Sequence, residues 1–307
     1  MPLRGTIRLI ESGVLCLLIL LMIFPPRSVF LFLFVITCCA IFVFPVHSQE
    51  ALVKPALRAQ PVRLEQPAVT AASVYSVDAS NGRVIYSKNI SEKRPVASTQ
   101  KLLTGLIIAE GGNLDERIPV ASTDRKVSPR NLWLTEGSSY RRGTLLEAML
   151  VRSFNDSAKC LARTHSGSQA EFARTMNARA EKLGMKDSHF VNAHGLTEEG
   201  QYSTAHDMIL LAAAAWMNPE VRRIVQLKGI DFTYEGAKTI QVKNSNELLH
   251  TYAPCVGMKT GYTEAAGRCL VAAATRGERT VLAVILGSKF EDVWTDAETV
   301  LEWSLKH

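Results

Sequence analysis

The stretch PCVGMKTGYTEAAGRCLVAAATRGERTVLAVIL, residues 254–286, decides the fold. It predicts three strands, at 254–262, 268–275 and 280–286. The turns between them are too short for a crossover, so the three must be antiparallel neighbours. Just upstream, 230–234 and 238–242 also read as strands. A closing helix is expected from about 292 to 305. At the other end of the chain, 72–78 alternates apolar and polar residues, Asn81-Gly82 supplies a tight turn, and 83–86 returns as a second strand. Between these ends the apolar period is helical. Helices are expected at 96–110 after Pro95, at 144–152, at 155–164, and at 169–183 up to Gly184. Another is expected at 207–216, with Ser203 or Thr204 as cap, and a last one opens at Pro219. The prediction is therefore an α+β domain: one antiparallel sheet built from both termini, flanked by helices, with a mid-chain all-helical subdomain at about 125–225.

The chain has 307 residues and an apolar excess of 47%, much of it at the start. Residues 14–24 and 29–46 are nearly all apolar, and Pro25-Pro26 lies between them. The second run suits the apolar region of a signal peptide, with Arg27 before it and Val46-His47-Ser48 as the cleavage region. Residues 1–48 are thus expected to be a signal peptide, with Met22 as its start, or else a retained N-terminal membrane anchor. Residues 49–70, with Pro55, Pro61 and Pro67, read as an extended tether, and residues 71–307 as the folded domain. The remainder is expected to be exported, to the periplasm or the outer face of the cytoplasmic membrane. Any membrane association is expected through the leader alone. A net charge of +6 is mild, and no basic block with interleaved aromatics argues for nucleic acid. Cys160, Cys255 and Cys269 match no zinc spacing and read as buried free thiols.

Three short motifs carry chemistry. In Ser98-Thr99-Gln100-Lys101, serine and lysine three apart share a helical face, so a neutral lysine amine can take the hydroxyl proton. Burial and a second cation both favour the neutral form. Ser98 also starts its helix, where backbone N–H groups favour developing negative charge. In Ser153-Phe154-Asn155, a hydroxyl and an amide converge where the backbone turns between two helices. In isolation, the simpler reading of Ser153 is an N-cap of the helix from Asn155. In Lys259-Thr260-Gly261, followed by Tyr262, lysine and threonine alternate across a strand, and glycine lets a ligand lie against its edge. The ligand expected there is an anionic peptide end. His194 and His206 have no metal-site spacing and read as structural.

The three motifs in this order resemble the penicillin-binding and β-lactamase superfamily, most closely the low-molecular-mass serine D-Ala-D-Ala carboxypeptidases. Phe190-Val191-Asn192-Ala193-His194-Gly195-Leu196 with Tyr202-Ser203-Thr204-Ala205-His206-Asp207 is similar to that family's mid-domain segment. Gly257-Met258-Lys259-Thr260-Gly261-Tyr262-Thr263 with Ala266-Gly267 is similar to its strand hairpin. The resemblance runs from about residue 71 to the end and implies the β-lactamase/transpeptidase-like fold. It implies that Ser98 is the acylated nucleophile, Lys101 its base and Ser153 the proton relay to the departing D-Ala. Asn155, Lys259, Thr260, Gly261 and Tyr262 would bind substrate, with the oxyanion held by the N–H groups of Ser98 and Tyr262. The implied partners are a peptidoglycan stem peptide ending in D-Ala-D-Ala and β-lactam antibiotics as covalent inhibitors. No metal or organic cofactor is implied.

Two departures stand out. The middle residue of the second motif is often small in the family and is Phe154 here. An arginine after the last strand often helps hold the carboxylate, whereas 289–294 reads KFEDVW and leaves Lys289 as a substitute. Three rival readings use the same residues: a D,D-endopeptidase of peptidoglycan crosslinks, a class A-like β-lactamase, and a non-catalytic wall-binding module. The β-lactamase needs a deacylating glutamate, and 188–196 contains no acid.

Overall fold

The computed structural model describes residues 66–236 and 238–307, so the expected leader and most of the expected tether lie outside the described residues. The described residues form one compact unit. In chain order it comprises β1 (Ser73–Asp78), β2 (Val84–Lys88), a 3-10 turn (Ala97–Gln100), α1 (Lys101–Glu110), β3 (Arg117–Pro119), α2 (Ser122–Arg125), β4 (Ser139–Arg141), α3 (Arg142–Arg152), α4 (Asn155–Ser166) and α5 (Gln169–Lys182). There follow α6 (Ala205–Met217), α7 (Pro219–Val225), β5 (Gly229–Thr233), β6 (Thr239–Lys243), α8 (Leu248–Thr251), β7 (Cys255–Thr263), β8 (Gly267–Arg276), β9 (Arg279–Ser288) and α9 (Val293–Lys306).

The main sheet has the order β2-β1-β9-β8-β7. Strand β1 pairs antiparallel with β9, so the two ends of the domain meet in the middle of the sheet, as the sequence predicts. The reason is visible in β8 and β9, whose apolar runs do not alternate with polar residues because both sheet faces are covered. Val271, Ala273, Leu282, Val284 and Leu286 pack into the core shared with the central helices. Leu270, Ala272, Ala274, Val281, Ala283 and Ile285 pack on the other face, against Val300 and Leu301 of α9. Strands β5 and β6 were expected near this sheet and instead form a separate two-stranded ribbon. Their burial alternates, with Phe232 and Val242 turned inward and their neighbours outward.

Helix α1 is apolar on every side, and Leu102, Leu103, Leu106, Ile107 and Ile108 are all buried. A helix with no polar face belongs in the centre of a domain. Its start therefore lies deep in the protein, beneath the edge strand β7. Helix α6 begins at the expected cap: the Thr204 hydroxyl accepts from the Asp207 N–H at 3.0 Å. Helix α7 begins with Pro219, and Asn218 caps it. Cys160, Cys255 and Cys269 are buried free thiols. Among the described residues, no helix is long and apolar enough to cross a membrane.

Two buried carboxylates hold chain segments that have no regular structure of their own. Asp156, fully buried, accepts the N–H groups of Leu132 at 3.1 Å and Leu134 at 3.4 Å, fastening the loop before β4 to the start of α4. Asp296 on α9 accepts the Thr70 N–H at 2.8 Å, the Thr70 hydroxyl at 2.9 Å, the Ala71 N–H at 2.9 Å and the Ser288 hydroxyl at 2.6 Å. Replacing Asp296 by alanine takes the acceptor away from the buried Ala71 N–H and Ser288 hydroxyl. Asp296→Ala is expected to lower stability by about 2–4 kcal/mol, seen as a lower urea midpoint with an unchanged slope.

Candidate active site

The 3-10 turn before α1 carries Ser98, and α1 begins at Lys101. Lys101 Nζ lies 2.9 Å from Ser98 Oγ and 2.7 Å from Asn155 Oδ1, and it also donates to the His194 carbonyl. The side chain is fully buried. Burial pushes its pKa well below that of a free lysine, and the charges of Lys259 and Arg130 push it further down. A neutral amine has two hydrogens and one lone pair. The oxygens of Asn155 and His194 can only accept, so they take both hydrogens. The lone pair is then left for the Ser98 hydroxyl. The geometry therefore makes Lys101 a base aimed at one proton.

Asn155 is held from three sides. Its main-chain N–H donates to the Arg130 carbonyl at 2.9 Å, and its Nδ2 donates to the Pro129 carbonyl at 2.7 Å. Its Oδ1 meets Lys101. One amide hydrogen remains for a ligand. The Asp156 clamp described above is what brings residues 129–134 to this position.

Ser153 does not cap the helix from Asn155. It ends α3 in a left-handed conformation, φ +72°, with its own N–H bonded to the Met149 carbonyl at 3.0 Å. Phe154 occupies the N-cap position of α4 and its side chain makes no cap bond. Ser153 Oγ is buried and has no hydrogen-bond partner among the described residues. A strained backbone and an orphaned hydroxyl at one residue indicate a functional position rather than a cap.

Strand β7 brings the third motif. Lys259 is buried, its ammonium donates to the Thr260 carbonyl at 3.0 Å, and burial together with the Arg130 charge lowers its pKa to about 7. Thr260 Oγ1 and Ser245 Oγ are 2.7 Å apart. At Gly261 a Cβ would lie 2.9 Å from the Ser98 nitrogen and 3.0 Å from both Ala97 Cβ and the Thr99 nitrogen. Only glycine lets the strand main chain lie directly on the Ser98 turn. Tyr262 is half exposed, with its ring 5.5 Å from that of Phe290.

Direct bonds thus join Ser98, Lys101 and Asn155, and close packing joins Gly261 to Ser98. Lys259 and Lys101 are near enough for one charge to depress the other's pKa. His194, read from the sequence as structural, contributes its carbonyl: it accepts from Lys101 and lies 3.2 Å from Ser98 Oγ. Its buried ring, lowered to about pKa 3 by burial and then by the Lys101 charge, stays neutral. Gly195 next to it is at φ +82°, and a Cβ there would come 2.2 Å from the Ala97 carbonyl oxygen, so only glycine lets this turn approach Ser98. Arg130 and Ser245 had no sequence signal. Both reach the site through contacts with residues far along the chain.

Gly261→Ala is expected to slow modification of Ser98 by a serine-acylating reagent about 100-fold, because it moves the turn by a sizeable fraction of an ångström. Circular dichroism should show the fold intact.

The chain matches the D-alanyl-D-alanine carboxypeptidase family, peptidase S11, over residues 60–290. It is 31% identical over 237 residues to the D-alanyl-D-alanine carboxypeptidase DacF of Bacillus subtilis, covering 74% of this chain and 59% of that one. It is 32% identical over 260 residues to DacC of Escherichia coli, covering 79% and 63%. The chain thus spans about three fifths of the length of these two relatives. The crystal structure of the Streptomyces K15 DD-transpeptidase superposes with a TM-score of 0.75 at 26% identity, covering 79% of this chain and 99% of that one. The expected fold is thereby borne out as β-lactamase/transpeptidase-like, and with a serine, a buried lysine of depressed pKa and the strand-borne Lys259-Thr260-Gly261 packed together, the chain belongs to the peptidase S11 family of D-alanyl-D-alanine carboxypeptidases.

Proposed function

We propose that this chain is a serine D-Ala-D-Ala carboxypeptidase that removes the terminal D-Ala from peptidoglycan stem pentapeptides. The observation that carries this reading is the Lys101 amine. It is buried, depressed in pKa and bonded to two carbonyl oxygens, with its lone pair directed at Ser98.

Ser98 Oγ attacks the carbonyl of the penultimate D-Ala while its proton passes to Lys101. The N–H groups of Ser98 and Tyr262 receive the oxyanion, a role supported by the close approach of β7 to the Ser98 turn. The C–N bond breaks, the leaving nitrogen takes a proton through Ser153, and D-Ala departs. Water then attacks the ester, passing its proton to Lys101, and Ser98 leaves with a proton. Asn155 orients Lys101 and offers its free amide hydrogen to the donor peptide. Lys259 and Thr260 hold the terminal carboxylate, and Gly261 keeps the strand close enough for the donor to lie along it. Phe154, between Ser153 and Asn155, packs partly buried against the core.

The same site opens β-lactams and keeps them as esters on Ser98. The stretch 188–196, whose His194 carbonyl meets Lys101, contains no acid that could activate a deacylating water as in a class A β-lactamase. Exported from the cytoplasm by the 1–48 leader, with the 49–70 tether before the catalytic domain, the enzyme would meet its wall substrate in the periplasm or at the outer face of the cytoplasmic membrane.

Three outcomes are expected. Wild-type protein releases D-Ala from free pentapeptide faster than it cleaves crosslinked dimer, and mass spectrometry finds penicillin on Ser98. The Ser98→Ala variant loses both activities, and preference for the dimer or rapid penicillin turnover would replace the carboxypeptidase reading. The acylation rate should fall at low pH as Lys101 takes a proton. Because the Lys259 charge depresses Lys101, Lys259→Gln raises the Lys101 pKa and moves that acid limb to higher pH, measured as the midpoint of the rate profile.

A further inference from the structure

Arg268 lies directly opposite Tyr262 in the β7–β8 pairing. Opposed residues share a sheet face, as do residues two apart on one strand, so Arg268, Tyr262 and Thr260 emerge on the same side. Thr260 is opposite Leu270, which makes Thr260 and Arg268 a diagonal pair. Such pairs are about 7–8 Å apart, within reach of a long side chain. The Arg268 guanidinium carbon is 5.0 Å from the Tyr262 ring centre and 3.8 Å from that of Phe290. Both rings are half exposed, and they meet edge to face.

An arginine that merely closes a sheet end normally finds a carboxylate. On the same sheet, Arg276 pairs with Glu302 at 2.8 Å and Arg279 with Asp78 at 3.1 Å. Arg268 has no ion pair among the described residues, and its Nε is buried without a hydrogen-bond partner. A guanidinium stacked on aromatic rings is fixed in its plane. Its edge then presents a rigid fork of N–H donors that matches a carboxylate. Arg130 adds to this field: burial and the charges of Arg152 and Arg268 lower its pKa, so these guanidiniums sit near one another unneutralised. Like charges gathered in a cleft favour an anionic ligand.

We infer that Arg268, stacked on Phe290 and Tyr262, grips the terminal carboxylate of the substrate beside Thr260, replacing the arginine that relatives often carry after the last strand. This rests on the carboxypeptidase reading, and it names the determinant that makes the site select a free C-terminal acid. Lys289, in the stretch where that arginine would fall, is exposed on the turn after β9 and is not needed for the role.

The test compares benzylpenicillin with its methyl ester, which differ only in the carboxylate. Wild type is expected to be acylated faster by the acid. Arg268→Gln should lower the acid rate about 10–100-fold, the scale of charge-assisted hydrogen bonds, and leave the ester rate unchanged. Arg268→Lys keeps the charge without the fork and should recover only part of the preference. Phe290→Ala removes an exposed ring and endangers no core, and it should cost the acid alone about 3–10-fold by loosening the stack. Equal losses for acid and ester would show a merely structural Arg268 and overturn the inference, as would no loss at all. A wild-type protein acylated by neither compound would overturn the carboxypeptidase reading, and this inference with it. Acylation by both with no dependence on Arg268 would overturn this inference alone.

Discussion

An ammonium group at Lys101 would sit in a dry core with three uncharged partners and two cations nearby, and avoiding that state is what organises the cleft. Transferring an unpaired charge into such a place is costly, and a lysine escapes by giving up its proton. The residues around it complete the effect. Asn155 and His194 supply oxygens that can only accept, so the neutral amine has one direction left for its lone pair. The fully apolar α1 puts the lysine at this depth in the first place.

Everything else in the site is arranged by the need to bring main chain close to that amine. The segment around His194 approaches the Ser98 turn so closely that Gly195 admits no side chain, and β7 approaches from the other side with Gly261 under the same restriction. Ala97 itself is left-handed at φ +48°. Backbone strain of this kind persists only where the surroundings enforce it. Here the enforcement comes from the doubly covered sheet on one side and, on the other, from the Asp156 clamp, which delivers the carbonyls of Pro129 and Arg130 to Asn155.

The charge pattern carries a cost in stability that the ligand relieves. Arg130 depresses both Lys101 and Lys259, Lys259 depresses Lys101, and Arg130 itself feels Arg152 and Arg268. Elsewhere the surface arginines are largely matched, for instance Arg163 with Asp124 and Arg179 with Glu110. The unpaired guanidiniums of Arg130 and Arg268 near the buried Lys101 and Lys259 favour an anion there. Binding such a ligand stabilises the fold by mass action. This is the usual relation between a functional site and the rest of a protein, where stability is given up locally for recognition.

The strands of residues 254–286 were legible in the sequence because apolar runs, turns and strand length are local properties, and the pairing of both termini followed from too few other places to bury them. The three motifs were legible too, since serine and lysine one helical turn apart are neighbours in any helix. What the sequence left open depends on contacts between distant segments. Ser153, taken by itself, read more simply as a cap, and only its left-handed backbone and unpartnered hydroxyl overturn that. Strands β5 and β6 had the right period for the main sheet, yet they pair only with each other. The work of His194 is done by a main-chain oxygen, which every residue possesses and no side-chain pattern can signal. Arg130 and Arg268 are ordinary arginines in sequence, and only the folding of a loop onto Asp156, or the register that sets Arg268 across from Tyr262, turns them toward the cleft. Local periodicity determines which elements form. The energy of burying them together decides which atoms finally face one another.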